Sequence, residues 1–219
     1  MASVPFPDAG LPVGVVTRPL TSFETQAWRN GGGKTRPLAE ESGASWRISL
    51  ANVERDGPYS RFPGMTRQSL IVKGAGVTLQ HEASRVELVP GRSIEYDGDM
   101  EWWATLRDGP VVALNTMVDQ SQFRAEVILL RKPLLVPSRC FALVLPLNGS
   151  CAWRTRDLAT ATMLDADMVM TRGHGGPDIL LIPLGDLTQD ERYAAGNSTA
   201  LVLIEDLAEP MPLDTGIPK

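Results

Sequence analysis

The sequence predicts an all-β protein built from two tandem β units, and three observations support this. Helical periodicity is scarce, whereas short alternating or continuous apolar runs recur along the chain. Gly, Pro and Asp turns separate these runs, as in all-β sandwiches and barrels. The third observation is a weak internal echo, because Gly74 ends LIVKG and Gly149 ends LPLNG, 75 positions apart. Other segments align in the same register, which indicates a duplicated β unit.

About a dozen short strands are expected in chain order. The segment WRISLANV places Trp46, Ile48 and Leu50 on one face, because side chains alternate along a strand. The first unit continues with SLIVKG, GVTLQ, RVELV, EWWATL and VVALNTM, and the second contains RAEVILL, FALVLPL, ATMLDADMVM, DILLIPL and TALVLIED. The predicted units span residues 18–120 and 121–207, between a Pro- and Gly-rich arm at 1–17 and a tail at 208–219.

Size and composition fit a globular protein with a substantial core. The chain has 219 residues, of which 43% are hydrophobic and 21% charged, unlike a disordered chain. No apolar run approaches the roughly 20 residues needed to span a bilayer, and no secretory signal is visible. We therefore expect a cytoplasmic protein without a membrane partner. Cys140 and Cys151 are then expected to be buried thiols, with a redox pair as the alternative.

Charge and spacing argue against nucleic acids and nucleotides as partners. The net charge is −5 and no basic cluster is present, whereas binding a phosphate backbone requires concentrated positive charge. The stretch WRNGGGKTRPLA, residues 28–39, contains the Gly-Lys-Thr of a phosphate-binding loop, but Trp28 stands where such a loop has its first glycine. We interpret the glycines as a loop whose backbone closely approaches either a ligand or a neighbouring strand.

Three segments carry a resemblance to a known family. WRNGGGKTRPLA, WRISLANVERDGPYSRFPGMTRQSLIVKGAG and LRDGPVVALNTM are similar, in this order, to segments of the HutD/Ves family. Members of this family are bicupins, so the resemblance implies two tandem cupin-like β-barrels of the jelly-roll type. It also implies a protein that binds a small acid of histidine utilisation, such as formylglutamate, and moderates the flux of that pathway.

Two departures from the family pattern concern charge. Thr66 stands before the arginine of the FPG segment, where the family commonly has an acidic residue. Val118, Asp119 and Gln120 follow the Asn-x-Met segment, where the family commonly has arginines. The lower positive charge near Asn115 leaves open whether this chain binds the same acid, or any acid tightly.

The histidines are too few and too far apart for a cupin metal site. Metal-dependent cupins hold their ion with two or three histidines and a carboxylate, but this chain has only His81 and His174, one in each predicted unit. We predict no metal and no other cofactor. An enzyme that works without metal has Glu101 and His81 as its only candidate bases, and no Gly-x-Ser-x-Gly turn is present.

Arginine, amide and aromatic side chains of the first unit predict a carboxylate site. An arginine inside a barrel binds a carboxylate through two parallel hydrogen bonds, and an asparagine can both donate and accept. A tryptophan supplies an apolar wall, since one of the adjacent pair at 102 and 103 must face inward. The candidate ligand-binding residues are Asn30, Arg47, Arg67, Trp102 and Asn115.

Most of these candidates also have a purely structural interpretation. Arg47 can face solvent or pair with a carboxylate of the following ERD segment. Arg67 can brace the FPG turn, and Asn115 can hold down a strand end. Trp102 and Trp103 can instead fill the core.

Three functions remain open from the sequence. The leading one is a non-catalytic binder of a small carboxylate, such as a formylated or amidated amino acid, in the first unit. The second is a metal-independent isomerase or lyase acting on a small acid. The third is an interaction scaffold without a ligand, with the two adjacent tryptophans on a subunit interface. The sequence also leaves a homodimer open.

Overall fold

A computed structural model describes residues 11–156, 160–184 and 198–208, and these residues form 19 strands and one 3₁₀-helix at Leu20–Ser22. The strands up to residue 119 are β1 Val15–Pro19, β2 Gln26–Ala27, β3 Gly33–Glu40, β4 Trp46–Val53, β5 Gly57–Pro58, β6 Met65–Lys73, β7 Val77–His81, β8 Ser84–Leu88, β9 Ser93–Asp97, β10 Trp103–Leu106 and β11 Val111–Asp119. The strands that follow are β12 Phe123–Leu130, β13 Leu134–Val136, β14 Phe141–Asn148, β15 Ser150–Thr155, β16 Thr162–Leu164, β17 Met168–Arg172, β18 Ile179–Leu184 and β19 Ser198–Asp206.

The all-β fold class is confirmed, with local differences in the elements. ATMLDADMVM forms two strands, β16 and β17, because Asp167 adopts a left-handed φ of 68° between them. Strand β3, absent from the expected series, contains Pro37 and pairs with β4 across an irregularity between Pro37 and Ala39. Most of the predicted arm at 1–17 and nearly all of the tail at 208–219 lie outside the described residues.

The strands form four antiparallel sheets, which we name I to IV. Sheet I has the order β5-β10-β7-β8 and sheet II the order β2-β3-β4-β11-β6-β9. Sheet III has the order β1-β17-β14-β19-β12 and sheet IV the order β13-β18-β15-β16. The described strands therefore lie in four separate ladders, none of which closes on itself, so each predicted barrel would consist of two facing sheets.

Three apolar cores join neighbouring sheets in the order I, II, III, IV. Leu79 belongs to the core between sheets I and II, and Trp153 to the core between sheets III and IV. Ile48 and Leu143 belong to the central core, which joins sheet II to sheet III. The two predicted units therefore share a core.

Strand pairing also crosses between the two predicted units. Strand β1, at the predicted boundary between arm and first unit, pairs with β17 in the second. The domain limits at residues 18, 120 and 207 remain predictions.

Alternation along β4 determines which side chains face the site. Trp46, Ile48 and Leu50 face the central core, as their spacing predicts. Arg47 and Ser49 therefore face the other way, toward sheet I. Arg47 and Ser49 thus lie on the side where the candidate site is found.

Both cysteines are buried and free, as predicted. Burial raises the pKa of the Cys140 and Cys151 thiols. Within the described ranges, no helix has the length and apolar character to cross a bilayer.

Candidate functional site

Three adjacent strands of sheet II present a row of polar side chains toward sheet I. The register places Met117 of β11 between Arg47 of β4 and Arg67 of β6. Neighbouring strands are about 4.8 Å apart, so the backbones that carry the two arginines are about 10 Å apart. Two residues further along the same face, Asn115 is opposite both Ser49 and Ser69.

A cavity of about 70 Å³ lies over this row, and we call it the inner cavity. The space suffices for several water-sized groups, since one needs roughly 10–15 Å³. None of the described residues that line it is acidic. They are Trp28, Thr35, Arg47, Ser49, Ala51, Tyr59, Ser60, Phe62, Arg67, Asn115 and Met117.

Arg67 brings a buried and uncompensated positive charge to the inner cavity. The residue is only 5% exposed, and no described carboxylate forms an ion pair with it. Its Nη1 donates to the Ser60 carbonyl at 3.2 Å, while its Nε has no hydrogen-bond partner in the described part of the chain. Three ring centres surround the guanidinium carbon at 5.0–5.3 Å, those of Tyr59, Phe62 and Tyr96. These π faces stabilise the cation without neutralising it.

A hydrogen-bonded chain orients the carboxamide of Asn115. The Ser69 hydroxyl donates to Asn115 Oδ1, and the Tyr96 hydroxyl lies 2.9 Å from Ser69 Oγ. Because Ser69 has one hydroxyl proton, Tyr96 is the donor in the second bond. The Asn115 amide nitrogen has no partner among the described residues. It can therefore donate to a molecule in the cavity that Asn115 lines.

The Tyr59 hydroxyl is a further unpartnered donor. It is buried and makes no hydrogen bond within the described ranges. Burial is the main cause that raises the pKa of Tyr59 above its ordinary value, the nearby Tyr96 raises it further, and Arg67 opposes both. Tyr59 therefore remains protonated and neutral at physiological pH.

Arg47 contributes the second guanidinium. Its Nε is buried without a hydrogen bond, and the nearest ion-pair partner, Glu40 Oε2, is 4.0 Å away. The carboxylates of the ERD segment do not pair with it, since Glu54 pairs with Lys34 and Asp56 accepts from the Leu106 amide. Arg47 lines the inner cavity instead.

Asn30 lines a second, larger space of about 220 Å³, which we call the outer cleft. Its Oδ1 accepts from the Gly32 amide at 2.9 Å and so stabilises the glycine loop. Trp28 and Tyr59 line both the outer cleft and the inner cavity. The full lining of the cleft is Trp28, Asn30, Gly32, Val53, Arg55, Asp56, Gly57, Pro58, Tyr59, Trp103 and Ala104.

The glycine run packs against the protein itself. A Cβ on Gly33 would overlap the carbonyl oxygen of Asn52 in β4 and lie 3.1 Å from the Trp28 ring. Gly31 adopts a left-handed φ of 64°, and a Cβ there would lie 2.8 Å from the Arg55 guanidinium. The close approach is thus to a neighbouring strand and to side chains beside the outer cleft.

Trp102 lies in the core and lines neither space. It is 3% exposed, donates from Nε1 to the Asp97 carbonyl at 2.8 Å and packs edge-on against Tyr96. Its neighbour Trp103 is 54% exposed and lines the outer cleft. Of the five candidates, the structure brings Arg47, Arg67 and Asn115 together and places Asn30 in the adjoining space.

Several residues of the inner cavity were not among the sequence candidates. Ser49 has a sequence signal, because it alternates with the apolar face of β4 just as Arg47 does. Tyr59 has none, since it follows a two-residue strand and reaches the cavity from sheet I.

The histidines and Glu101 line neither space. His81 Nδ1 is 3.0 Å from the Glu101 backbone carbonyl, and His174 Nδ1 is 3.0 Å from the carbonyl of Arg139. The part of the chain that the structure describes contains no group of three His, Cys, Asp or Glu residues that could hold a metal ion. The candidate bases of the enzyme hypothesis are therefore not placed in the inner cavity.

The departures from the family pattern also lie outside the inner cavity. Val118 is buried in the central core. The pKa of the Asp119 carboxyl is lowered, chiefly by hydrogen bonds from Ser121 and then from Gln122. Thr66 Oγ1 donates to Gln120 Oε1 at 3.3 Å. The absence of arginines at these positions therefore removes none of the hydrogen-bond donors that the described residues bring to the inner cavity.

Solved structures show that this chain has a fold similar to those of cupin-like proteins. Protein Ylba from Escherichia coli has a TM-score of 0.64 at 8% identity, over 91% of this chain and 93% of that chain. An oxalate decarboxylase variant from Bacillus subtilis has a TM-score of 0.56 at 7% identity, over 89% of this chain and 78% of that chain. At these identities the likeness shows the fold alone.

The family model HutD matches residues 20–178, and the chain therefore belongs to the HutD family. HutD from Pseudomonas fluorescens SBW25 has a TM-score of 0.71 at 19% identity, over 88% of this chain and 98% of that chain. An uncharacterized 21.2 kDa protein in the hutC 3' region of Pseudomonas putida is 29% identical over 112 residues, 48% of this chain and 58% of that protein. Protein Ves of Citrobacter koseri is 30% identical over 114 residues, 49% of this chain and 60% of that protein. The matched region thus spans about three fifths of each curated relative.

Proposed function

We propose that the protein binds a small carboxylate in the inner cavity. The observation that carries this proposal is that several residues lining a cavity without an acidic lining residue carry donors that have no hydrogen-bond partner among the described residues. The buried ones are Arg47 Nε, Arg67 Nε and the Tyr59 hydroxyl, and the fourth is the Asn115 amide nitrogen. A buried donor without a partner costs about 1–3 kcal/mol. A carboxylate, which only accepts and offers about four lone-pair sites, removes that cost.

The charge of the site favours an anion over a neutral ligand. Neither guanidinium has a hydrogen-bonded carboxylate among the described residues, and Arg67 is nearly completely buried. A neutral ligand leaves the Arg67 charge unpaired, whereas an anion forms charge-assisted hydrogen bonds, which are about twice as strong as neutral ones. The small volume and the planar guanidinium groups favour a carboxylate head group.

We further propose that the protein binds without catalysing a reaction and moderates histidine utilisation. The names of the hutC-region relative and of HutD support the pathway, and the inner cavity suits the carboxylate head group that acids of this pathway carry. The placement of Glu101 and His81 outside the cavity supports binding over catalysis.

Other features of the protein also belong to this proposal. The first is the arrangement as two cupin-like barrels, which the cupin-like structural neighbours support. The others are a cytoplasmic location, a site that works without metal or cofactor, the absence of a nucleic-acid partner, and a homodimer.

Titration calorimetry with acids of the histidine pathway tests the proposal. Arg67→Gln removes the buried charge and is expected to weaken binding at least tenfold, because hydrogen bonds to charged groups contribute about 1.5–3 kcal/mol. Arg61→Gln is the matched control, since Arg61 is 53% exposed and pairs with Asp99 at 3.8 Å. The Arg61→Gln variant loses the same charge at a position outside the cavity, so its affinity for the acids should stay within twofold of that of wild type. Equal affinity in wild type and Arg67→Gln, or no binding to wild type, would contradict the proposal.

A further inference from the structure

The outer cleft adjoins the inner cavity along a shared wall and a shared floor. Trp28 and Tyr59 line both spaces. Ala51 lines the inner cavity and Val53 lines the outer cleft. These two residues of β4 face the same side and are about 7 Å apart, at roughly 3.3 Å per residue. A chain of about five bonds of roughly 1.5 Å each spans this distance.

The surfaces of the outer cleft are chemically different from those of the inner cavity. Aromatic and apolar groups make up much of the lining, including Trp28, Pro58 and Trp103. Its charged residues, Arg55 and Asp56, have opposite signs, so their charges offset each other. The cleft therefore suits an uncharged, apolar group better than a second carboxylate.

Trp103 is the residue that most directly indicates an occupant. It is 54% exposed although it is a large aromatic side chain, and it borders a concave space. Its strand pairs with Pro58 of β5 on one side and with Gln80 of β7 on the other, which fixes the backbone beneath it. An exposed aromatic side chain on a fixed backbone in a cleft is typical of a surface that covers an apolar part of a ligand.

We propose that the outer cleft is the tail subsite of the ligand bound in the inner cavity. The ligand is then an organic acid whose carboxylate lies near Arg47 and Arg67 and whose uncharged, apolar or aromatic tail packs against Trp103. This inference rests on the proposed function of the inner cavity. It assigns the ligand to acids with a chain of several carbons between head and tail, and it distinguishes them from compact acids that fill only the inner cavity.

Calorimetry with two probe acids tests the tail subsite on the full chain. In this proposal acetate is large enough to occupy only the inner cavity, whereas 5-phenylpentanoate is long enough to place its phenyl ring in the outer cleft. We expect wild type to bind 5-phenylpentanoate at least tenfold more tightly than acetate. Trp103→Ala should reduce the affinity for 5-phenylpentanoate at least fivefold and leave that for acetate within twofold of wild type, which also shows that the variant is folded.

Leu135→Ala is the matched control, because Leu135 is 60% exposed on β13 in another sheet. It should change the affinity for neither acid. Equal binding of the two acids by wild type, or an unchanged preference in Trp103→Ala, would overturn the tail subsite while the carboxylate site stands. An equal loss of 5-phenylpentanoate affinity in Leu135→Ala would also overturn it. Failure of wild type to bind either acid would overturn the proposed function itself.

Discussion

Arg67 and Arg172 are both buried, and the Nε of each has no partner among the described residues, but they differ in how many hydrogen bonds their Nη atoms make and in whether they line a cavity. Arg172 is fully buried, and its guanidinium donates to the carbonyls of Ser138 and Pro137 at 2.7 and 2.6 Å. These bonds tie neighbouring loops together, which is a structural role. Arg67 donates to a single carbonyl, that of Ser60, and lines a cavity. Its remaining donors are available to a ligand, so we assign it a binding role.

Tyr59→Phe removes one donor from the cavity, and we expect it to weaken carboxylate binding about tenfold because that hydrogen bond has a charged acceptor. The ligand-free variant should not lose stability, since the hydroxyl has no partner among the described residues.

The pKa of Tyr59 is raised in the folded protein above its ordinary 10.0. The free energy of unfolding of wild type therefore falls as pH rises above about 10, where the unfolded chain ionises first. Tyr59→Phe should show a smaller fall between pH 9 and 11.

Urea denaturation and calorimetry measure these effects, and Tyr96→Phe is the matched control. The Tyr96 hydroxyl donates to Ser69, so its removal should lower the free energy of unfolding by about 1 kcal/mol. A loss of stability in Tyr59→Phe equal to that in Tyr96→Phe, with unchanged binding, would show that the Tyr59 hydroxyl has a structural partner.

Sequence reasoning identified part of the site because some of its residues follow a local rule. Alternation along β4 separates Arg47 from Trp46, and the three strands with Arg47, Asn115 and Arg67 are adjacent in sheet II. Alternation also requires one of the two adjacent tryptophans to face inward. It cannot tell that Trp102 packs into the core, because this depends on which sheet covers each face.

Strand β6 connects the two halves of the molecule through one side chain. Gln68 Nε2 donates to the Ala125 carbonyl at 2.9 Å, and its Oε1 accepts from the Val127 amide at 3.0 Å. The carboxamide thus pairs with the backbone of edge strand β12 much as another strand would. This contact lies next to Arg67 in sequence, on the opposite face of β6.

Gln68→Glu should lower the free energy of unfolding by about 1–3 kcal/mol, because the carboxylate cannot donate to the Ala125 carbonyl. Repulsion from Glu95, which Gln68 contacts at 2.8 Å, adds to the loss. Glu95→Gln is the control and should change stability by less than about 0.5 kcal/mol, as most surface substitutions do. Urea denaturation measures both, and equal stability of wild type and Gln68→Glu would refute this role.

The sequence pattern did not predict strand β3, because its pairing with a neighbouring strand outweighs its local composition. Strand β3 contains Pro37 and charged residues, yet it pairs along β4 because the irregularity beside Pro37 accommodates the missing amide proton. The mainly apolar strands β14 and β19 were predicted, since they are buried on both faces.

At the scale of the whole molecule, the two predicted units are not independent of each other. The central core contains Leu114 and Ile48 from the first and Leu143 and Val202 from the second. Strand β1 adds backbone pairing across the same boundary. The sequence indicated a duplication but could not show this shared core. The alternation of side chains along a strand reveals an apolar face, but it does not reveal which sheet packs against that face.

A fragment of residues 18–120 is therefore expected not to fold alone, because it exposes its half of the central core. The full chain should unfold in a single calorimetric transition whose calorimetric and van't Hoff enthalpies agree. The amide proton spectrum of the fragment should show the narrow dispersion of an unfolded chain. A fragment with well-dispersed resonances, or a full chain with two separate transitions, would mean that the units fold independently.

The most direct measurement is a crystal structure of the protein grown with a carboxylate that carries an unreactive bromine, such as 4-bromobenzoate. Anomalous density should locate the bromine in or beside the inner cavity, with carboxylate oxygens within hydrogen-bond distance of Arg67 Nε and the Tyr59 hydroxyl. A cavity filled by apolar side chains, with Arg47 and Arg67 turned into bulk solvent and no anion between them, would contradict a carboxylate site in this protein.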